Sequence, residues 1–212
     1  MTRILLIPGS IRESSLHTAA LRTAARVAPA DLLLDLYDGL RGLPAFAPGE
    51  QHDAVTILRH QVSTADAILF CTPEYAGSLP GSLKNMLDWL VEGAELWDKP
   101  VAWLSVVAPG QDQGALSTLE TVLSHGNARV LRSAVIRLPL EPDCIGADGL
   151  VTDPRLHTAL ADMLHAVTFA LAAKPREKPS WDVQSSLFPA IEQRQFSAGP
   201  RPNAPRHLRG SS

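Results

Sequence analysis

Cysteine is scarce in this 212-residue chain: Cys71 and Cys144 are its only two, far apart and in no C-x-x-C pattern. That usage offers no disulfide framework and no zinc-binding cysteine set, and it fits a reduced, cytoplasmic protein. An excess of one charge is missing too. Nineteen Lys and Arg against 22 Asp and Glu leave a net charge of −3 and a pI near 6.1, a balance that favours neither nucleic acid nor an anionic membrane as partner. The apolar run at the N-terminus is too short for a signal peptide and runs into Pro8-Gly9, and no other run is long enough to cross a bilayer. The seven histidines show no H-E-x-x-H or paired-ligand spacing, which points away from a metal enzyme. There is no G-x-G-x-x-G fingerprint and no G-x-x-x-x-G-K-[ST] loop. The nucleophile elbow G-x-S-x-G is absent as well, since the serine of "GSLPG" is off centre.

What is present is an alternation. Apolar runs in "RILLIPGS", "DAILFCTP" and "KPVAWLSVVAPG" are continuous, as strands buried on both faces should be. "DLLLDLYDGL" is more mixed and reads as a strand nearer an edge, and "ARVLRSAVIRLP" reads as a fifth strand. Between and after them lie helical patterns. "SLHTAALRTAARVA" places Leu16, Ala20, Ala24 and Val27 on one face. "HDAVTILRHQVSTA", "GSLKNMLDWLVEG" and "GALSTLETVLSHG" follow, and the last helix opens at Pro154 near its first position. Strands alternating with helices imply a parallel sheet with right-handed crossovers. Five such units predict a flavodoxin-like doubly wound sheet of order 2-1-3-4-5 with helices on both faces. Its ligand would sit at the carboxyl ends of strands one and three.

Residues 1–173 carry this pattern. Residues 174–212 hold six of the 17 prolines and lose helical periodicity. They read as a Pro-rich tail, either disordered or laid over the domain or a neighbouring subunit through Trp181, Leu187, Phe188, Ile191 and Phe196.

Two loops stand out. After the first strand, "IPGSIRESSLHT" places Gly9, Ser10, Arg12, Ser14 and Ser15 ahead of a helix N-terminus. Free backbone N–H groups, hydroxyls and one guanidinium make an anion cradle there, better suited to a terminal phosphate monoester than to a buried pyrophosphate. The plainer reading is a serine N-cap beside a surface arginine. After the third strand, "TPEYAGSLPGSLKNMLDWL" sets Pro73, Gly77, Pro80 and Gly81 in a tight loop beside Tyr75, a wall suited to a planar heteroaromatic ring. A structural turn leading into a helix is the plainer reading of that loop.

Together, "GSIRESSLH" and "PEYAGSLPGSLKNMLDW" resemble the NADPH-dependent FMN reductase family, whose loops read roughly G-S-x-R-x-x-S-x-N and P-E-Y-N-x-S-x-P-G-x-L-K-N-x-x-D-W. The resemblance covers residues 1 to about 172 in element order. It implies FMN as cofactor and NADPH (or NADH) as hydride donor, with ping-pong transfer to a small-molecule acceptor such as a flavin, quinone, nitro or azo compound, or metal oxyanion. It also implies a homodimer or homotetramer. The cofactor-binding residues it implies are Ser10, Arg12, Ser15, His17 and Thr18 in the first loop and helix. Pro73, Glu74, Tyr75, Ala76 and Gly77 follow in the third loop, with Ser105 and Gly114 in a weaker match around the fourth. No side chain is required as nucleophile or base, because the flavin carries the chemistry. Two positions depart from the pattern: His17 and Ala76 stand where the family carries asparagine. They feed the alternative of a non-catalytic flavodoxin-like scaffold or sensor with weakened flavin binding.

Overall fold

The computed structural model describes residues 1–173. The tail assigned to 174–212 lies outside the described residues. The elements are β1 (Thr2–Pro8), α1 (Leu16–Val27), β2 (Leu32–Leu36), α2 (Asp53–Thr64), β3 (Ala67–Cys71), α3 (Gly81–Glu92) and β4 (Pro100–Ser105). They continue with α4 (Gln113–His125), β5 (Arg129–Val130), β6 (Ile136–Arg137) and α5 (Pro154–Ala172). Every strand pair is parallel, in the order β2-β1-β3-β4-β5, with β6 also pairing with β4. This is the flavodoxin-like order read from the alternation.

The central strands are apolar on both faces because both faces are covered. Ile4 and Leu6 of β1 and Ala67 and Leu69 of β3 pack with α1 and α5. Their neighbours Leu5, Ile7, Ile68 and Phe70 pack with α2, α3 and α4. Strand β2, with its mixed polarity, is the edge, and Leu33 is exposed there. On α1 the expected face is buried at Ala20 and Ala24, while Val27 in the last turn is exposed.

The fifth strand departs from the sequence reading. It is interrupted by a 3₁₀ turn over Arg132–Ala134, and β5 and β6 each add only two residues beside β4. The cause is a side-chain count. Leu131 and Ala134 are three residues apart yet join the same core layer, and strict strand alternation would send them to opposite faces. The turn restores the match, and the backbone continues along β4 as Leu138 and Leu140 donate to Ser105 and Val106 carbonyls at 2.8 and 2.9 Å.

Candidate functional site

At the carboxyl ends of β1 and β3 the two unusual loops touch. The Gly9 N–H donates to the Cys71 carbonyl at 2.8 Å. A Cβ at Gly9 would stand 2.1 Å from Thr72 Oγ1 and 2.9 Å from its Cα, so only glycine lets the loops approach this closely. The first loop then turns on Ser10, whose buried hydroxyl oxygen accepts from the Arg12 N–H at 3.2 Å. It is braced from outside by Arg41 Nη2, which donates to the Ile11 carbonyl at 2.6 Å. Ser15 caps α1, accepting from the Thr18 N–H at 3.4 Å. No acidic residue occupies the first turn of α1, so the positive end of the helix is left uncompensated. Arg12 is exposed and has no carboxylate partner among the described residues.

The third loop closes as a two-residue turn. Tyr75 and Ser78 exchange backbone hydrogen bonds of 2.9 and 3.0 Å, with Ala76 at φ 50° and Gly77 at φ 72°. Positive φ at both central positions is the type I′ geometry. The N–H groups of Ala76 and Gly77 find no partner among the described residues. Glu74 turns the other way: its Oε2 accepts from the Gly114 and Ala115 N–H groups at 2.8 and 3.1 Å, capping α4. At Gly114 a Cβ would stand 2.0 Å from the Gly77 carbonyl oxygen. The hydroxyls of Ser78 and Thr118 lie 3.1 Å apart. Further along the motif, Asn85 accepts from Phe46 N–H and donates to the Pro44 carbonyl, which the Trp89 indole also reaches. That part of the motif holds the segment around Pro44 in place.

The fourth loop contains a residue that sequence reading passed over. Asp112 is 1% exposed. Its Oδ2 accepts from Ser105 Oγ at 2.5 Å and its Oδ1 pairs with Arg137 Nη2 at 2.8 Å. Arg137 Nη1 also donates to the Val107 and Ala108 carbonyls at 3.1 and 3.3 Å. One guanidinium thereby ties the loop to β6. Asp112 stands at the N-cap position of α4, a signal legible in sequence, yet its side chain makes no cap bond. Arg137 carries no sequence signal at all.

These loops enclose a cleft of about 460 Å³, within the range of about 300–1,000 Å³ that small-molecule sites occupy. Six of the expected residues line it: Ser10, Arg12, Ser15, His17, Pro73 and Tyr75. Val107, Ala108 and Gln111 of the fourth loop and Pro139, Leu140 and Glu141 beyond β6 complete its walls. Thr18 instead borders a separate hollow of about 170 Å³ on the far side of the first loop. Glu74, Ala76, Gly77, Ser105 and Gly114 do not line the cleft: Glu74, Ser105 and Gly114 brace its loops, and Ala76 and Gly77 form the exposed turn that follows Tyr75. His17 is buried, and its Nε2 has no partner. Burial pushes its pKa down to about 4, against the opposing pull of the Asp112 carboxylate. The imidazole is therefore neutral at pH 7. Burial also raises the Cys71 thiol, which stays protonated.

A family model described as NADPH-dependent FMN reductase matches residues 2–140. The chain belongs to that family. Among its relatives, the NAD(P)H-dependent FMN reductase of Pseudomonas aeruginosa is 28% identical over 176 residues, covering 78% of this chain and 92% of its own. The quinone reductase of Escherichia coli is 29% identical over 119 residues, or 54% of this chain. The match spans 62% of the length of that relative. Among solved structures, the flavoenzyme NAD(P)H:(acceptor) oxidoreductase FerB from Paracoccus denitrificans aligns with a TM-score of 0.63 at 24% identity, over 80% of this chain and 98% of the other. At that identity the likeness shows the fold. No helix among the described residues of this family member is long and apolar enough to cross a membrane.

Proposed function

We propose that the chain is an NAD(P)H-dependent FMN oxidoreductase that passes electrons to a small acceptor of the quinone, flavin, nitro, azo or metal-oxyanion kind. The observation that carries this reading is the cleft itself, where a loop of anion donors faces a flat wall across the ends of β1 and β3. The residues fit FMN. His17, an unpaired guanidinium and the serine-capped N-terminus of α1 stand at one end of the cleft, a donor set suited to a phosphate. At the other end stand Tyr75 and Pro73, and next to Tyr75 in the chain comes the exposed turn whose Ala76 and Gly77 N–H groups have no partner among the described residues.

In this reading Ser10, Arg12, Ser15 and His17 hold the phosphate. The third-loop turn meets the ring edge through backbone N–H groups, so Ala76 costs no donor by lacking an amide side chain. When bound, FMN would supply the acceptor for hydride from a reduced nicotinamide and return the electrons to a second substrate. The protein's own part is to bind and orient, and to keep water from one face. Two substrates that use that face in turn give ping-pong kinetics. NADPH is favoured over NADH by the family description alone. The free thiols Cys71 and Cys144 accord with a reducing cytoplasm. A homodimer or homotetramer belongs to the same proposal, supported by Trp97, which is 61% exposed beyond α3.

The test is an absorbance spectrum of the purified full chain with added FMN, then with NADPH under anaerobic conditions. Flavin bands that shift on binding and bleach with NADPH support the reading. Failure to bind FMN would favour the scaffold or sensor alternative.

A further inference from the structure

Resting on the FMN reading above, we propose that Arg137 determines which acceptors the cleft admits: its guanidinium holds residues 107–111 as a fixed wall, and that wall limits the breadth of a planar substrate. The strap 107–111 lies between β4 and α4 and is pinned at both ends. Val106 is fully buried, and its carbonyl accepts from the Leu140 N–H at 2.9 Å. At the far end the buried Asp112 accepts through its carbonyl from the Leu116 N–H at 2.9 Å. The base of the strap is closed on itself, because Ser105 Oγ donates to Asp112 Oδ2 at 2.5 Å. Between these anchors Val107 and Ala108 are half-buried, and Pro109, Gly110 and Gln111 are exposed.

The strap is a partition. Val107, Ala108 and Gln111 line the cleft of about 460 Å³, whereas Pro109 and Gly110, with Leu116 and Arg137, line a separate hollow of about 330 Å³. A wall with open space beyond it has room to yield, so whatever holds it sets the width of the cleft. Within the strap the Gln111 N–H donates to the Ala108 carbonyl at 3.2 Å. Among the described residues, the hydrogen bonds that tie the strap to the rest of the chain are the two from Arg137 Nη1, to the Val107 and Ala108 carbonyls at 3.1 and 3.3 Å. Arg137 Nη2 meanwhile stands 2.8 Å from Asp112 Oδ1, an oxygen with no hydrogen bond of its own. The buried carboxylate thus holds the guanidinium by charge, and the guanidinium holds the strap by hydrogen bonds. An arginine fork serves both tasks at once, whereas a lysine ammonium is a single point charge. Exclusion of a broad acceptor then needs no contact in favour of a narrow one, only a wall that does not give way.

The experiment compares the full chain with its Arg137→Lys variant, after flavin fluorescence has shown whether wild type binds FMN. Hydrogen–deuterium exchange over 107–111 in the flavin-free proteins reads the strap directly. Steady-state turnover of the FMN-loaded proteins with p-benzoquinone and with phenanthrenequinone, one ring against three and both uncharged, reads the breadth admitted. Two hydrogen bonds of ordinary net strength correspond to about tenfold in a local opening equilibrium, so the variant's strap should exchange about tenfold faster. Its Tm should stay near that of wild type, because a cation still faces Asp112. The kcat/KM ratio of the three-ring over the one-ring quinone should rise about tenfold, carried by KM. Arg137→Gln combined with Asp112→Asn removes both charges together, leaving no buried carboxylate unpaired, and should give the same exchange and the same ratio. Strap exchange at the wild-type rate in both variants overturns the inference, and so does faster exchange with an unchanged ratio; either result leaves the FMN reading intact. Wild type that binds no FMN overturns both.

Discussion

Substitutions at Ala76 test the turn geometry without touching the cleft lining. Ala76 holds φ 50° in a turn whose next residue, Gly77, holds φ 72°. For an L-residue other than glycine the left-handed region costs about 1–2 kcal/mol, and type I′ turns accordingly favour Asn-Gly. The conformation is held from outside: the Gly77 carbonyl abuts Gly114, Glu74 is bound to two α4 N–H groups, and Ser78 meets Thr118. The turn therefore keeps its shape in the variants, and the difference appears as stability. Ala76→Asn should add about 1 kcal/mol, because asparagine tolerates the left-handed region through local hydrogen bonding. That corresponds to a rise of about 2–4 °C in Tm for a chain of this size. Ala76→Gly should come out near zero, since relief of strain is offset by about 0.5–1 kcal/mol of added unfolded-chain entropy. Ala76→Val should lose stability, because a β-branched side chain is a genuine outlier at positive φ. Urea unfolding of the flavin-free protein, followed by circular dichroism, ranks the three. Asparagine and valine moving stability in the same direction would refute the reasoning.

Two further outcomes follow. Because burial lowers His17 from its ordinary 6.5 to about 4, its contribution is present in full above pH 6.5 and is lost as pH falls towards 4. The loss reaches about 3 kcal/mol at pH 4 for the flavin-free protein, and urea midpoints measured across that window should show a correspondingly flatter profile in His17→Asn. Gly114→Ala places a methyl 2.0 Å from the Gly77 carbonyl oxygen; it should cost about 1–3 kcal/mol and weaken FMN binding by displacing the third-loop turn. A variant with wild-type Tm and FMN affinity would show that the two loops are not locked.

Sequence patterns reach as far as contacts that depend on neighbours along the chain. Ile4 to Ile7 and Ala67 to Cys71 announce buried parallel strands because both faces of each are covered. Loop composition marks Ser10, Arg12 and Tyr75 because serine, arginine and an aromatic beside prolines have a local chemical meaning. Asp112 escapes because its partners, Ser105 and Arg137, are brought to it only by β4 and by the pairing of β6 with β4. Glu74 looks like a loop carboxylate until the fold delivers the N-terminus of α4 to it. The split of the fifth strand is hidden for a similar reason, since it depends on which core layer receives Leu131 and Ala134.

The Glu74 clamp also divides the cleft by how freely its parts can vary. Changing the shape of the Tyr75–Ser78 turn would release two hydrogen bonds at a helix terminus and break a backbone-to-glycine fit. The turn and the head of α4 thus behave as one plate. By contrast, the Gln111 and Glu141 side chains line the cleft with no hydrogen bond among the described residues. Divergence in what the cleft admits has its cheapest route through those side chains, while the plate stays as it is.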